Sequence, residues 1–371
     1  MTTRAKVSKH DSAPAVSETI EQSIAAAEEA NLRYTSSDQP GIYRKRRGSS
    51  FFYVNRRGKR ITDADTLARI RSIVIPPAWK EVWISPHSNG HLQATGTDAR
   101  GRRQYRYHAK YRAIRDEAKY DHMIGFAHAL PRIHRRTNRD LKLPGLPRNK
   151  VLAAIVRVME KTLIRVGNEE YARTNRSYGL TTIHNKHVKV RGRRMHFDFK
   201  GKSGVEHEID LEDPRLAKIV HDCQELPGEE LFGYRDENGK VVDVDSADVN
   251  EYLAEIAGDH FTAKDFRTWA GTVLAATALQ ELKEFDSELQ AKRNVVKAVE
   301  SVAKRLGNTK AVCRKCYIHP AIIETYLDGS LATQLAAKAG KELSKSRTKL
   351  SSTEAAILGL LQHRLTQKKC S

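Results

Sequence analysis

The chain has 371 residues, of which 65 are Lys or Arg and 45 are Asp or Glu, for a formal charge of +20 and a pI near 9.8. That surplus points to a polyanion, nucleic acid before acidic lipid, over a basic protein with no specific partner. A hydrophobic share of 39% is enough to bury a core in each of two domains, no apolar run reaches membrane length, and the amino terminus lacks the apolar core of a signal peptide, so the chain reads as cytoplasmic with no membrane partner.

Residues 1–40 are rich in Ser, Thr and Ala, with one helical stretch over 18–33 and little that could form a core, and are read as a flexible leader. Gly41 opens a different texture. Aromatic and β-branched runs at 42–48 and 50–54, punctuated by glycine, predict a hairpin. A helix over 64–73 ends before Pro76 and Pro77, and strands over 79–84 and 91–95 complete a small, mostly antiparallel domain spanning 41–113.

From 114 to 331 helical periodicity dominates, with apolar residues three and four apart over 120–130 and 150–167. The second of these helices is expected to deliver Arg165 at its carboxyl end. Strands over 181–183, 187–190, 195–199 and 205–209 alternate with glycine-bearing turns, the last of which holds Lys202. Helices follow over 248–257, 263–284, 286–306 and 320–327, with Phe266 and Trp269 packing inward and Arg267 pointing elsewhere. Residues 332–371 form a basic tail with one capped helix candidate, Ser351 to Glu354 leading into 355–361. Its composition fits either folding on the preceding domain or extra non-specific affinity for an anion. The fold class is α+β: a small antiparallel β-rich domain, then a larger, mainly helical domain with a small antiparallel sheet.

Arg165, Lys202 and Arg267 precede Tyr317, and Asn308 lies nine residues upstream of it. These are the groups phosphodiester chemistry needs without a metal. Attack on a phosphodiester builds negative charge on two non-bridging oxygens, and two guanidiniums hold them with paired donors at any physiological pH. A phenol supplies the nucleophile, a lysine among other cations can give the leaving alkoxide its proton, and an asparagine can add an amide hydrogen bond. Taken singly, each residue has a bland reading: Arg165 satisfying a helix end, Arg267 pairing with Asp265, Tyr317 as a core or surface tyrosine. Lys202 in Gly-Lys-Ser-Gly invites comparison with a phosphate loop, but the Gly-x-x-x-x-Gly-Lys spacing and the strand-then-helix setting are absent. It is their joint occurrence, in order, that carries the functional reading.

The segments around these residues resemble the active-site segments of the type IB DNA topoisomerases, most closely the compact poxvirus-like bacterial branch. They are 163–168 with Tyr171, 199–204, 264–269 and 306–309 running to 316–320. The resemblance covers roughly 41–331, and 95–107 is similar to the DNA-contacting segment at the end of that family's amino-terminal domain. It implies that Tyr317 is the nucleophile joined to a 3′-phosphate, Arg165 and Arg267 the phosphate-binding arginines, and Lys202 the general acid for the 5′-hydroxyl. Lys264 stands where tyrosine recombinases usually carry a histidine, which leans against a recombinase. Asn308 is a departure, since poxvirus and nuclear relatives have histidine there. DNA contacts are expected at Arg103, Gln104, Tyr105, Tyr107, Tyr171 and Lys264. The implied activity is relaxation of supercoiled duplex DNA by a monomeric, nucleoid-associated clamp, without ATP, metal or other cofactor.

The Arg100–Arg112 run can also be read without the family: basic residues alternate with Gln104, Tyr105 and Tyr107, a pattern suited to clamping phosphates while flatter side chains reach sugars or base edges. A basic strand facing water is the alternative. Cys313, Cys316 and His319 lack the second ligand pair of a structural zinc and the setting of a redox motif, so the thiols are expected to be packing residues beside the nucleophile. A site-specific recombinase and a non-catalytic DNA-binding protein are the other two readings, and Tyr317→Phe would leave the second unaffected.

Overall fold

The structure, a computed structural model, describes residues 13–258, 261–282, 285–337 and 350–369. Helices and antiparallel sheets make it α+β, and the chain divides into two compact units between Asp121 and His122.

In the first unit five strands form one antiparallel sheet in the order β2-β1-β3-β4-β5: β1 (Ile42–Arg47), β2 (Ser50–Val54), β3 (Lys80–Ile84), β4 (Leu92–Thr97) and β5 (Arg103–Tyr107). β1 and β2 make the expected hairpin, with Tyr43 opposite Val54 and Arg47 opposite Ser50. Helix α2 (Ala64–Ser72) is started by Asp63, whose carboxylate accepts from the Thr66 amide at 2.8 Å, and it lays Ile70 on Ile42, Val82, Ile84 and Ala94. β5 is an edge strand whose odd residues face water while Gln104 and Arg106 are half-buried.

The segment read as a leader is different. Helix α1 (Ala13–Glu29) and the turn after it bury Ala26, Ala27, Ala30 and Leu32 in a cluster with Tyr111. Thr35 then donates from its amide to His91 Nδ1 and from its hydroxyl to the Leu92 carbonyl, each at 3.0 Å. Low hydrophobic content hid this, because small alanines form a core by close approach instead of by bulk.

The second unit is built around α4 (Arg148–Thr162), whose residues 151–156, with Val158 and Met159, are fully buried. It packs against α6 (Pro214–Gln224), α7 (Ser246–Ala257) and α8 (Ala263–Glu281). The long α3 (Ala109–Asp140) contains the boundary between the units. A three-stranded antiparallel sheet runs β6 (Val188–Arg191), β7 (Arg194–Lys200), β8 (Glu206–Glu212). A short hairpin, β9 (Gly233–Arg235) with β10 (Val241–Asp243), stands apart from it. The remaining helices that matter for the site are α5 (Glu169–Asn175), α9 (Glu288–Leu306), α10 (Lys310–Cys316) and α11 (Pro320–Leu327).

Two expected elements change. The helix expected over 150–167 stops at Thr162, because Leu163 turns left-handed (φ 59°) and its amide closes back on the Met159 carbonyl. The strand expected over 181–183 is a short 3-10 turn, Leu180–Thr182, although its amides still pair with the Arg165 and Val166 carbonyls. α5, α6, α10 and the β9–β10 hairpin were not foreseen. The carboxyl-terminal segment folds on this unit: residues 331–337 are helical, and the helix Ser352–Lys369 buries residues 355–358, Leu360 and Leu361.

Candidate active site

Arg165 comes three residues after α4 ends, in an extended stretch pinned on both sides. The amides of Leu180 and Thr181 donate to the carbonyls of Arg165 and Val166 at 2.9 and 2.6 Å. Its side chain is thereby aimed at the corner where α9 ends: Nη2 donates to Asn308 Oδ1 at 2.5 Å and to the Gly307 carbonyl at 3.3 Å. Thus the arginine lies beyond the end of α4, and its guanidinium serves the carboxyl end of α9 through the Gly307 carbonyl.

Arg267 lies in the first turns of α8 between Phe266 and Trp269, which are both buried as expected. It is only 4% exposed, with Nη1 donating to the Leu163 carbonyl and Nη2 to the Leu306 carbonyl at 2.6 Å. Asp265 is not its partner. That carboxylate caps α8, accepting from the Thr262 amide at 2.8 Å, and lies 3.5 Å from His122. No carboxylate is paired with Arg165 or Arg267 among the described residues.

Burial, and for Arg267 next the charge of Arg165, holds both guanidiniums below the ordinary arginine range, Arg267 at about 10. Each stays charged at physiological pH. A buried and a half-buried cation side by side without an anion are costly unless an anion arrives during function.

Tyr317 follows α10 directly, a helix started by the Thr309 side chain. The Arg267 guanidinium carbon is 5.5 Å from the centre of its ring. Lys202 opens the tight turn Lys202–Gly204 between β7 and β8, where Ser203 takes a left-handed conformation (φ 64°). Its Nζ is 5.9 Å from the ring centre of Tyr171, which α5 holds on the opposite lip after the Asn168 cap. A cleft of about 390 Å³ is lined by Arg165, Lys202, Lys264, Arg267, Tyr171 and Tyr317, among others.

Asn308 stands behind Arg165. The short contact from the guanidinium fixes its Oδ1 as the acceptor and turns its Nδ2 away. That nitrogen is buried and interacts with the Cys313 thiol, and neither it nor Arg267 Nε makes a hydrogen bond of ordinary length and angle among the described residues. Arg267 lines the cleft, whereas Asn308 stands behind it. Cys313 is buried, Cys316 half-buried, and both are free thiols; burial raises the Cys313 pKa against the pull of Arg267. Cys370 lies outside the described residues.

The structure thus brings six of the expected residues into one cleft and places Asn308 one contact behind it. The four on β5 belong to the other unit. There Arg103 Nη2 donates to Ser37 Oγ at 2.9 Å, and Gln104 Nε2 donates to Asp98 Oδ2 at 3.0 Å. Tyr105 and Tyr107, 50% and 37% exposed, stack nearly parallel with centroids 6.0 Å apart. Leu163 falls in an expected active-site segment, but the anchoring of Arg267 by its carbonyl was not expected; a left-handed leucine leaves no sequence signal.

The family model for the catalytic core of eukaryotic DNA topoisomerase I matches residues 108–344, and that for the amino-terminal domain of bacterial DNA topoisomerase IB matches 50–98. DNA topoisomerase 1B of Acanthamoeba polyphaga mimivirus is 32% identical over 77% of this chain and 87% of its own length. The chain belongs to the type IB DNA topoisomerases. DNA topoisomerase 1B of vaccinia virus (strain Copenhagen) is 25% identical over 69% of the chain and 77% of its own length. The topoisomerase is therefore an enzyme that relaxes DNA by cleaving a single strand. No described helix is long and apolar enough to cross a membrane.

Proposed function

We propose that this topoisomerase relaxes supercoiled duplex DNA through a 3′-phosphotyrosyl intermediate on Tyr317. The phenolic oxygen attacks the phosphorus and loses its proton to solvent while the bond to the 5′-oxygen breaks. Lys202 gives that oxygen its proton. Arg165 and Arg267 hold the two non-bridging oxygens, Arg267 through its Nε, with Asn308 Nδ2 as a neutral third donor. The freed 5′ end rotates about the intact strand under superhelical strain, and the 5′-hydroxyl then attacks the phosphotyrosine to reseal. The rotation needs no ATP, and the guanidiniums take the charge role that a metal ion takes in other phosphoryl-transfer sites.

The observation that carries this reading is a buried guanidinium, Arg267, and a half-buried one, Arg165, neither paired with a carboxylate among the described residues, beside a half-buried phenol. All the reacting side chains come from one chain, which supports a monomer. Arg103, Gln104, Tyr105 and Tyr107, with Tyr171 and Lys264, are read as DNA contacts, and the two units as a clamp on the duplex. The enzyme would act on the nucleoid in the cytoplasm.

The test is relaxation of negatively supercoiled plasmid in EDTA without ATP, comparing wild type with Tyr317→Phe. Relaxation by the wild type, with a covalent protein–DNA adduct trapped by detergent, and neither by the variant, is expected. Relaxation by both would place the nucleophile elsewhere. Activity should fall steeply with salt, as counterions compete for the phosphates.

A further inference from the structure

His207 does not line the cleft, yet it touches both halves of the machinery. It sits on β8 opposite Phe199 of β7, its ring stacked on the buried phenyl at 5.1 Å and 15°. One edge of the imidazole faces Gly201, the residue before Lys202: a β-carbon at 201 would come within 2.5 Å of Cδ2 and 2.6 Å of Nε2. The other edge faces Gly307, the residue before Asn308, where a β-carbon would come within 2.7 Å of Cε1. A flat ring therefore fills a slot between the Lys202 turn and the corner whose carbonyl and asparagine hold Arg165.

The turn and the corner are each closed within themselves. Gly201 donates to the Val205 carbonyl at 2.8 Å, and the Asn308 amide to the Ala303 carbonyl at 3.0 Å. Their mutual distance is set by what lies between them. Burial, then the charges of Arg165 and Arg267, lowers the His207 pKa, so the ring stays neutral at cellular pH and adds no third cation beside the arginines.

We propose that His207 is a positioning residue that spaces the Lys202 turn from the Gly307–Asn308 corner and so sets the general acid against the phosphate held by the arginines. This rests on the assignment of Lys202 as the acid. A proton donor displaced by about 1 Å loses roughly 100-fold in rate while the binding of the substrate is little changed.

The test uses single-turnover cleavage of two duplexes, one with the natural 5′-oxygen at the scissile bond and one with sulfur in that position. Sulfur leaves as a thiolate, whose conjugate acid has a pKa of about 8.5, and needs no proton from the enzyme. His207→Ala is expected to cleave the oxygen duplex about 10- to 100-fold slower than wild type. It should cleave the sulfur duplex at close to the wild-type rate and bind both with unchanged affinity. Lys202→Ala should show the same pattern more strongly, and His207→Phe, which keeps a stacked ring, should recover the oxygen rate. His207→Leu, which fills the slot without a flat ring, is expected to behave as His207→Ala and guards against misfolding of the smaller variant. Slow cleavage of both duplexes by His207→Ala and His207→Leu while sulfur rescues Lys202→Ala, or wild-type cleavage of the oxygen duplex by both, overturns the inference. Failure of sulfur to rescue Lys202→Ala is a separate signature: it removes the acid assignment, and the inference with it.

Discussion

Gly271 of α8 lies against the backbone of Tyr317: a β-carbon at 271 would approach the Tyr317 carbonyl oxygen to 2.6 Å and its Cβ to 3.0 Å. The next residue, Thr272, shares its hydroxyl proton between the carbonyls of Thr268 at 3.1 Å and Tyr317 at 3.3 Å, and accepts from the His319 amide at 3.1 Å. Tyr317 is thus seated on the helix that carries Arg267. Gly271→Ala should push Tyr317 off that seat, costing about 1–3 kcal/mol of stability through overpacking. Cleavage should slow by roughly 100-fold, as for a displacement of about 1 Å. Single-turnover cleavage at saturating enzyme, with binding measured separately, checks this; an unchanged rate would show that the backbone of Tyr317 has room to move.

Asn308 has two functions that substitutions can separate. Its Oδ1 accepts from Arg165, and its Nδ2 is a buried donor that makes no hydrogen bond of ordinary length and angle among the described residues. Asn308→Ala removes both and should slow cleavage by the equivalent of about 1.5–3 kcal/mol, roughly 10- to 150-fold, as expected for a hydrogen bond to a charged group. Asn308→Asp keeps the acceptor but replaces the donor with a buried negative charge that competes with the phosphate for the two arginines, and should fall below Asn308→Ala. The reverse order would mean that holding Arg165 is the whole contribution of this residue.

The residues that meet in the cleft were legible because they are chemically unusual in combination, and a resemblance in order and spacing needs no coordinates. What orients them was not. Arg165 was expected on a helix because residues 150–162 carry an unbroken apolar period; nothing in Leu163 announces a left-handed turn. Arg267 was expected to point elsewhere than Phe266 and Trp269, but that carbonyls from two distant chain segments hold it there was not legible. Backbone acceptors are invisible to residue-type reasoning. The leader failed for a related cause: alanines read as helix formers, and their use as a packing face depended on the partner Tyr111, more than eighty residues away.

His91 offers a pH dependence with a definite sign. It is buried, its ring stacked on Tyr34 at 4.7 Å and edge-on to Tyr111 at 4.7 Å, and Nδ1 accepts from the Thr35 amide. Burial lowers its pKa against the pull of a backbone bond to Arg33. A base with a lowered folded-state pKa resists the proton that the unfolded chain takes up below about 6.5, so stability should fall as pH drops through that value. The imidazole resonances of His91 should titrate below 6.5, the ordinary value. His91→Phe should melt lower than wild type at pH near 7.5, having lost the acceptor for Thr35, yet lose less on going to pH near 5.5. Equal slopes for the two proteins would assign the acid sensitivity to other groups.

The carboxyl-terminal helix tests whether that segment is a structural part of the catalytic unit or a cationic appendage. Glu354 has three bonds at once: it accepts from the Ser351 amide at 3.0 Å and hydroxyl at 2.7 Å, and from Trp269 Nε1 at 3.1 Å. Ser351 Oγ accepts in return from the Glu354 amide, completing a reciprocal cap, and Trp269 stands two residues after Arg267 on α8. Further along, Arg364 reaches Asp328 at 2.7 Å. Glu354→Ala removes the cap and leaves a buried indole N–H without its acceptor, a loss of about 1–3 kcal/mol. In a domain of this size each kcal/mol lowers the melting temperature by about 2–4 °C. Relaxation well below the melting temperature should remain close to wild type, and inactivation should set in earlier on heating. If the segment served only as extra charge, the variant would melt as wild type does, and shortening the chain before Ser351 would change the salt dependence of relaxation and leave its thermal limit alone. The burial of residues 355–358, Leu360 and Leu361 instead predicts that the shortened chain loses solubility and activity together.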